Sequence, residues 1–312
     1  MQVELTTTVA YLGPPGTFTE EALLSQADLA RARHLPLGSF RDVLDAVDRG
    51  DAEVGLVALE NSIEGTVNVT LDPLIFAHEL WIVRELQLSV AQCLVGMAGA
   101  RLDAVKKIIS MPVATAQCRT WLVDNLAEVD EEASPSTADA VRRVAEAQDP
   151  QVAAIGTKHA AELYGLEVLA SGIQDHDDNM TRFVLVARPE WGIPAPTGHD
   201  KTTIVCFQSS DRPGSLHMLL GQFAARSLNL TKLESRPTKK ALGEYCFVID
   251  MDGHVGDEVV ADCLRDLHAM LPALKFLGSY PAGGEHGEQR RRAASDAWLA
   301  ADTWITDVRS HL

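Results

Sequence analysis

Between Arg188 and Gly198 the chain reads Arg-Pro-Glu-Trp-Gly-Ile-Pro-Ala-Pro-Thr-Gly, with three prolines and two glycines. Proline removes a backbone donor and fixes φ, and glycine weakens regular structure, so neither a helix nor a strand runs through such a stretch. Residues 188–200 are therefore predicted to form a linker, and the rest to fold on its two sides. The patterns on those sides differ. Strand and helix patterns alternate before it, which predicts α/β architecture. After it the predicted order is strand-helix-strand-strand-helix-strand, the split βαβ or ferredoxin-like unit, written βαββαβ. The expected parts are 1–187, the linker, 201–282, and a tail from 283 to 312.

In the first part, strands are predicted at Val9–Gly13, Val54–Leu59, Trp81–Leu88, Gln92–Gly96, Lys107–Ser110, Val152–Gly156 and Arg182–Ala187. Helices are predicted after Gly16, with Thr17 or Thr19 as cap and Glu20 and Glu21 in the first turn, and after Ser39. Further helices are predicted near Leu71–Ala77, Val113–Leu126, Thr137–Ala147 and His159–Tyr164. In the later part, the strands are Thr202–Gln208, Leu230–Ser235, Tyr245–Met251 and Leu274–Tyr280, and the helices Pro213–Leu228 and Asp257–Met270. In the tail, Trp298, Ala301, Ile305, Val308 and Leu312 recur at helical steps. That face serves either its own subunit or a second one.

Composition narrows the function classes. A length of 312 residues suffices for two domains with cores, and 46% hydrophobic with 23% charged residues is ordinary for a globular chain. A net charge of −17 argues against a nucleic-acid partner, which needs a basic face. No apolar run is long enough to span a bilayer, and Met1–Leu5 lacks the pattern of a signal peptide. The five cysteines form no Cys-x-x-Cys pair, and the ten histidines show no ligand spacing, so neither a disulfide framework, a metal nor a cofactor is expected. These features predict a cytoplasmic protein.

Four segments can hold a small molecule. Asn179-Met180-Thr181-Arg182-Phe183 puts an amide, a hydroxyl and a guanidinium at the mouth of an apolar strand, which suits an anionic, hydroxyl-bearing ligand. It reads equally well as a solvated loop. The turn Gly13–Thr19 presents N–H groups at a helix start, but lacks the Gly-Lys-Ser/Thr of a phosphate loop. Glu60-Asn61-Ser62 ends a strand and can form a ligand rim or simply a helix cap. Ser110 to Cys118 runs from strand to helix, with Pro112 in the first turn and Gln117 farther along.

Taken in order, Gly13–Phe18, Glu60–Val67, Ser110–Cys118, Ser136-Thr137-Ala138 and Asn179–Phe183 resemble the successive motifs of prephenate dehydratase. Arg212-Pro213-Gly214-Ser215-Leu216 and Asn229 to Pro237 resemble the regulatory ACT domain of the same enzymes. The resemblance spans about residues 8 to 281 and is to a monofunctional form, since no chorismate mutase helices precede the first strand. Two departures stand out. Met111 occupies a position where the family commonly has histidine, and the glycine-alanine-leucine-valine run of the effector site reads Gly214-Ser215-Leu216-His217.

The resemblance implies a two-lobed, periplasmic-binding-protein-like catalytic domain with chain crossings near Ala77–Leu88 and Leu169–Asn179, followed by a ferredoxin-like ACT domain. It implies dehydration and decarboxylation of prephenate to phenylpyruvate, with Thr181 as the leading catalytic residue and Glu60 as a second candidate proton donor. Thr17, Asn61, Ser62, Ser110, Gln117, Asn179 and Arg182 would hold the substrate, and Phe183 would pack the cleft. L-Phenylalanine is the implied effector, at Pro213, Gly214, Ser215, Leu216, His217, Asn229, Leu230, Glu234, Ser235, Arg236 and Pro237. The family places that site between two ACT domains, so a homodimer or homotetramer is expected. On the residues alone, Glu234 and Arg236 also read as a surface pair of little energetic weight. A solute-binding protein and a catalytically dead amino-acid sensor share the plan; turnover of prephenate separates them from the enzyme.

Overall fold

The fold is that of a computed structural model, which describes residues 3–208, 213–239, 244–283, 301 and 303–310. The chain gathers into two compact units. One holds the chain up to Pro73 together with Leu86–Val184, and the other holds Leu74–Glu85 with the described residues from Leu185 onward. Arg212 and most of the tail, Trp298 and Leu312 included, lie outside the described residues; residues 303–309 are helical.

Through Asn125 the strands are β1 (Thr8–Leu12), β2 (Arg33–Leu37), β3 (Val54–Asn61), β4 (Gly65–Thr66), β5 (Trp81–Ser89), β6 (Cys93–Gly96) and β7 (Lys107–Ser110). The helices of this stretch are α1 (Phe18–Leu24), α2 (Phe40–Arg49), α3 (Asn68–Phe76), α4 (Pro112–Ala116) and α5 (Arg119–Asn125). Next come β8 (Asp130–Ala133), α6 (Thr137–Ala147), β9 (Val152–Gly156), α7 (Lys158–Leu163), β10 (Glu167–Ser171) and β11 (Met180–Ala187). They build two sheets. The first runs β2-β1-β3-β11-β5, with β4 on β3, and the second runs β10-β6-β9-β7-β8. The chain leaves the first sheet after β5 and returns to it at β11. This is the mixed α/β architecture that the alternating patterns predict.

Local chemistry explains these elements. β3 is buried from Val54 to Leu59, so it reads as one apolar run rather than an alternation. Ser39 caps α2 by accepting from the Asp42 N–H at 3.1 Å, and Val43, Leu44, Ala46 and Val47 form its buried stripe. Thr17, not Thr19, caps α1.

The remaining elements are β12 (Asp200–Phe207), α8 (Ser215–Ala224), β13 (Leu230–Pro237), β14 (Tyr245–Asp252), α9 (Glu258–Met270) and β15 (Ala273–Pro281). The sheet order β13-β14-β12-β15, antiparallel throughout, is the ferredoxin-like arrangement. Leu219 and Phe223 of α8 and Val260, Cys263 and Leu267 of α9 cover one face with Ile204, Ile249 and Met251.

Residues 74–85 join this unit through specific contacts. The Phe276 ring meets Trp81 edge-on at 5.5 Å. Lys275 Nζ donates to the carbonyls of His78 (2.7 Å) and Ile75 (3.2 Å), near the C-terminus of α3. Lys201 Nζ pairs with the fully buried Glu85 carboxylate at 2.9 Å. Gly278, at φ +140°, passes so close to β5 that a Cβ there would sit 2.2 Å from the Ile82 carbonyl oxygen.

Candidate active site

The helix predicted over 113–126 is two helices, α4 and α5, and the break creates the site. The Gln117 carbonyl accepts from the Asp175 N–H at 2.7 Å, while the Asp175 carboxylate accepts from the Thr120 N–H at 3.1 Å, in the first turn of α5. A segment between β10 and β11 thus supplies the cap that Cys118 does not. Asp175 is part of the frame. Burial, reinforced by the negative charge of Asp175, pushes the Cys118 thiol up to about 12, so no thiolate nucleophile arises there at neutral pH.

Asn179, Thr181, Asn61, Ser62 and Gln117 come together. Asn179 is 1% exposed. Asn61 Nδ2 donates to Asn179 Oδ1 (2.7 Å) and Thr181 Oγ (2.9 Å), while its Oδ1 accepts from the backbone N–H groups of Ile63 and Glu64, both at 3.0 Å. Those two donors fix which end of the Asn61 amide is which. Ser62 Oγ accepts from the Met180 N–H (2.9 Å) and donates to the Asp178 carbonyl (3.2 Å), clamping the entry of β11. Gln117 Oε1 accepts from Asn179 Nδ2 at 3.3 Å.

Other predicted site residues are engaged elsewhere. Arg182 pairs with Glu60 at 3.5 Å, its side chain 11% exposed against 36% for the carboxylate. Thr181 and Arg182 are adjacent on β11 and so face opposite sides. Thr17 Oγ donates to the Leu12 carbonyl (2.8 Å) and accepts from the Glu20 N–H (3.3 Å). Ser110 is buried at the end of β7 and donates to the Ile155 carbonyl at 3.4 Å. Phe183 is 1% exposed, a core position. Met111 is 38% exposed and starts α4 with no side-chain hydrogen bond; a thioether there has no proton to give.

The turn at Gly13–Thr19 is filled by protein. Glu20 Oε2 accepts from the Gly16 N–H (2.6 Å) and contacts His159 Nε2 (3.0 Å), and Tyr11 donates to Glu20 Oε1 (2.8 Å). Thr157 Oγ donates to the Gly16 carbonyl at 3.0 Å. Burial, with the hydrogen bond and charge of Glu20, holds the Tyr11 phenol above its usual range. Gly16 has φ +96°, and a Cβ there would meet Ala160 Cβ at 3.0 Å, so α7 packs directly on this turn. The Thr-x-x-Glu spacing of Thr17 and Glu20 is a capping-box signal that points to this role. Nothing in the sequence points to His159.

Ser136 of the Ser136-Thr137-Ala138 segment caps α6, accepting from the Asp139 N–H at 3.0 Å. Ser136→Ala is expected to cost about 1 kcal/mol of stability, the usual loss for a cap, measured by urea unfolding.

In the ferredoxin-like unit, a cavity of about 800 Å³ is lined by Pro213, Gly214, Ser215, Leu216, His217 and Ser235. Among the described residues Gln208, Leu220, Tyr245 and Phe247 also line it, and no sequence motif marks them. Asn229, Leu230, Glu234, Arg236 and Pro237 are not among its lining residues. Asn229 donates to Asp252 at 2.9 Å, and Arg236 donates to Glu234 at 2.7 Å.

Two α/β sheets that meet at a polar row of amides ending on a hydroxyl, with a ferredoxin-like unit following, define a class: α/β proteins with an appended ferredoxin-like module. A family model for prephenate dehydratase matches residues 9–190. Prephenate dehydratase of Mycobacterium marinum is 40% identical over 93% of this chain and 94% of its own length. A crystal structure of prephenate dehydratase from Arthrobacter aurescens in complex with L-Phe is 40% identical, with a TM-score of 0.84 over 97% of this chain and 99% of that one. GqqA, described as a novel type of quorum quenching acylase, is 30% identical with a TM-score of 0.78 over 88% of this chain and 98% of that one. The chain belongs to the prephenate dehydratase family. It is a carbon–oxygen lyase of the hydro-lyase kind, of phenylalanine biosynthesis.

Proposed function

We propose that the chain converts prephenate to phenylpyruvate at the row formed by Gln117, Asn179, Asn61 and Thr181, and that phenylalanine regulates it from the ferredoxin-like unit. The hydrogen bond from Asn61 Nδ2 to Thr181 Oγ at 2.9 Å carries the first half of this reading. In the reaction the bond from the ring to its carboxylate breaks. Its electron pair becomes a new ring double bond, and the bond to the ring hydroxyl breaks in turn. CO2 leaves, and the hydroxyl leaves as water after taking up one proton. Aromatisation supplies the driving force, so the protein must mainly orient the carboxylate and assist the leaving oxygen. A hydroxyl that accepts from Asn61 aims its own hydrogen elsewhere, and the leaving oxygen is the fitting acceptor. Glu60 is the second candidate donor, and in this structure its carboxylate is paired with Arg182 at 3.5 Å. Asn179 and Ser62 shape the polar wall, and Phe183 supports it from the core; Thr17 and Ser110, bonded to the Leu12 and Ile155 carbonyls, stay outside this row.

The effector half rests on the 800 Å³ cavity, which is ample for an amino acid, and on the relative crystallised with L-Phe. The ferredoxin-like unit, residues 201–282, is read as an ACT domain, joined by the 188–200 linker to a catalytic domain over 1–187 and followed by a tail from 283. Such domains act in pairs, so a homodimer or homotetramer is expected. Phenylalanine would favour the less active of two arrangements. Five buried free thiols suit a reducing, cytoplasmic setting.

One pair of measurements tests this reading. The purified chain with prephenate should yield phenylpyruvate, read by its absorbance in base, and calorimetry on the full-length chain should detect phenylalanine at a concentration that slows turnover. Failure to form phenylpyruvate rejects the first half; absence of a binding heat rejects the second.

A further inference from the structure

Three side-chain amides stand in line between Glu64 and Thr181. Gln117 Nε2 donates to Glu64 Oε1 at 3.1 Å, Asn179 Nδ2 donates to Gln117 Oε1 at 3.3 Å, and Asn61 Nδ2 donates to Asn179 Oδ1 at 2.7 Å and to Thr181 Oγ at 2.9 Å. Each amide has a donor end and an acceptor end that exchange places on a half-turn. One reversed member would set two NH2 groups or two carbonyl oxygens face to face. A row like this needs its polarity imposed at both ends.

At the Thr181 end the polarity is imposed by backbone. Asn61 Oδ1 faces the N–H groups of Ile63 and Glu64, which an NH2 group cannot do. At the far end the group that meets Gln117 is the Glu64 carboxylate. Its Oε1 accepts from Gln117 Nε2 at 3.1 Å, which leaves Gln117 Oε1 turned toward Asn179. Asn179 must then offer Nδ2 to Gln117 and Oδ1 to Asn61. Glu64 therefore touches the row at both ends, by its main chain at one and its side chain at the other.

We propose that Glu64 is a positioning residue of the dehydratase reaction: its carboxylate holds the far end of the row, so that the Gln117 and Asn179 amides keep the direction that Asn61 needs to anchor the Thr181 hydroxyl. This rests on the reading of Thr181 as the hydrogen-bond donor to the leaving oxygen. Glu64 is exposed, so its replacement leaves the core untouched. Nothing in the motif spacing marks it, because its role depends on Gln117, which is distant in sequence.

Three substitutions at this one position separate polarity from charge and from packing. Glu64→Gln keeps an acceptor oxygen and should hold kcat within about threefold of wild type. Glu64→Ala removes the acceptor and should lower kcat several-fold. Glu64→Lys presents a donor, pulls Gln117 Oε1 around and opposes the row, so it should lower kcat furthest, by about tenfold or more. Thermal melts of each variant check that the fold is retained. The order Gln above Ala above Lys supports the proposal. A Glu64→Gln enzyme as slow as Glu64→Lys would make net charge the cause and overturn it, as would a Glu64→Lys enzyme with wild-type kcat. Either result, alongside an inactive Thr181→Ala, removes only the role of Glu64; an active Thr181→Ala removes the reading beneath it as well.

Discussion

Thr181→Ala should lower kcat on prephenate by about 10²- to 10⁴-fold, the usual worth of a positioned proton-donating group. The substitution deletes the oxygen that accepts from Asn61 Nδ2 at 2.9 Å, and with it the hydroxyl proposed to donate to the leaving group. The residue is only half-buried, so the fold should hold. Thr181→Ser keeps the hydroxyl and loses only a methyl, so it should recover most of the rate. The two variants together separate the hydroxyl from the shape of the side chain. Near-normal turnover by the alanine enzyme would remove Thr181 from the mechanism.

The largest effect on stability is expected from Gly278→Ala. A Cβ at this position meets the Ile82 carbonyl oxygen at 2.2 Å and the Ile82 nitrogen at 2.9 Å, and both are backbone atoms that cannot swing aside. The φ of +140° adds strain for any L side chain. Overpacking and strain together should cost about 3 kcal/mol or more. The loss should appear as a lower urea midpoint for the unit that holds β12 to β15 and residues 74–85. An unchanged midpoint would mean that β15 and β5 separate freely.

The central elements were legible because their patterns are strong. β3 is a continuous apolar run, and α2 and α6 each carry a serine cap before an amphipathic stripe. What escaped was marginal structure. β2, β8 and β10 lie at sheet margins; Arg33–Leu37 and Asp130–Ala133 lack the apolar content that marks a buried strand, and in Glu167–Ser171 the apolar run is only Val168-Leu169-Ala170. The break between α4 and α5 is not legible either, since the group that caps α5 there is Asp175, far along the chain. The same holds at the site. Asn61, Asn179 and Thr181 stand out as polar groups at strand ends, whereas Glu64 and His159 matter only through partners that folding brings to them.

The acidic strand β8 has a consequence of its own. It stands at the margin of the second sheet, where unpaired backbone groups invite another chain to add a strand. Asp130, Glu131 and Glu132 occupy three of its four positions. Glu131 is held by Arg119 and Glu132 by Lys107 and Arg143, so the carboxylates are kept in place along the strand. A second copy docking there would set its own acids against them, and cross-strand like charges are repulsive. The composition that hides this strand from a hydrophobic pattern is thus the same one that disfavours edge-to-edge growth of the sheet.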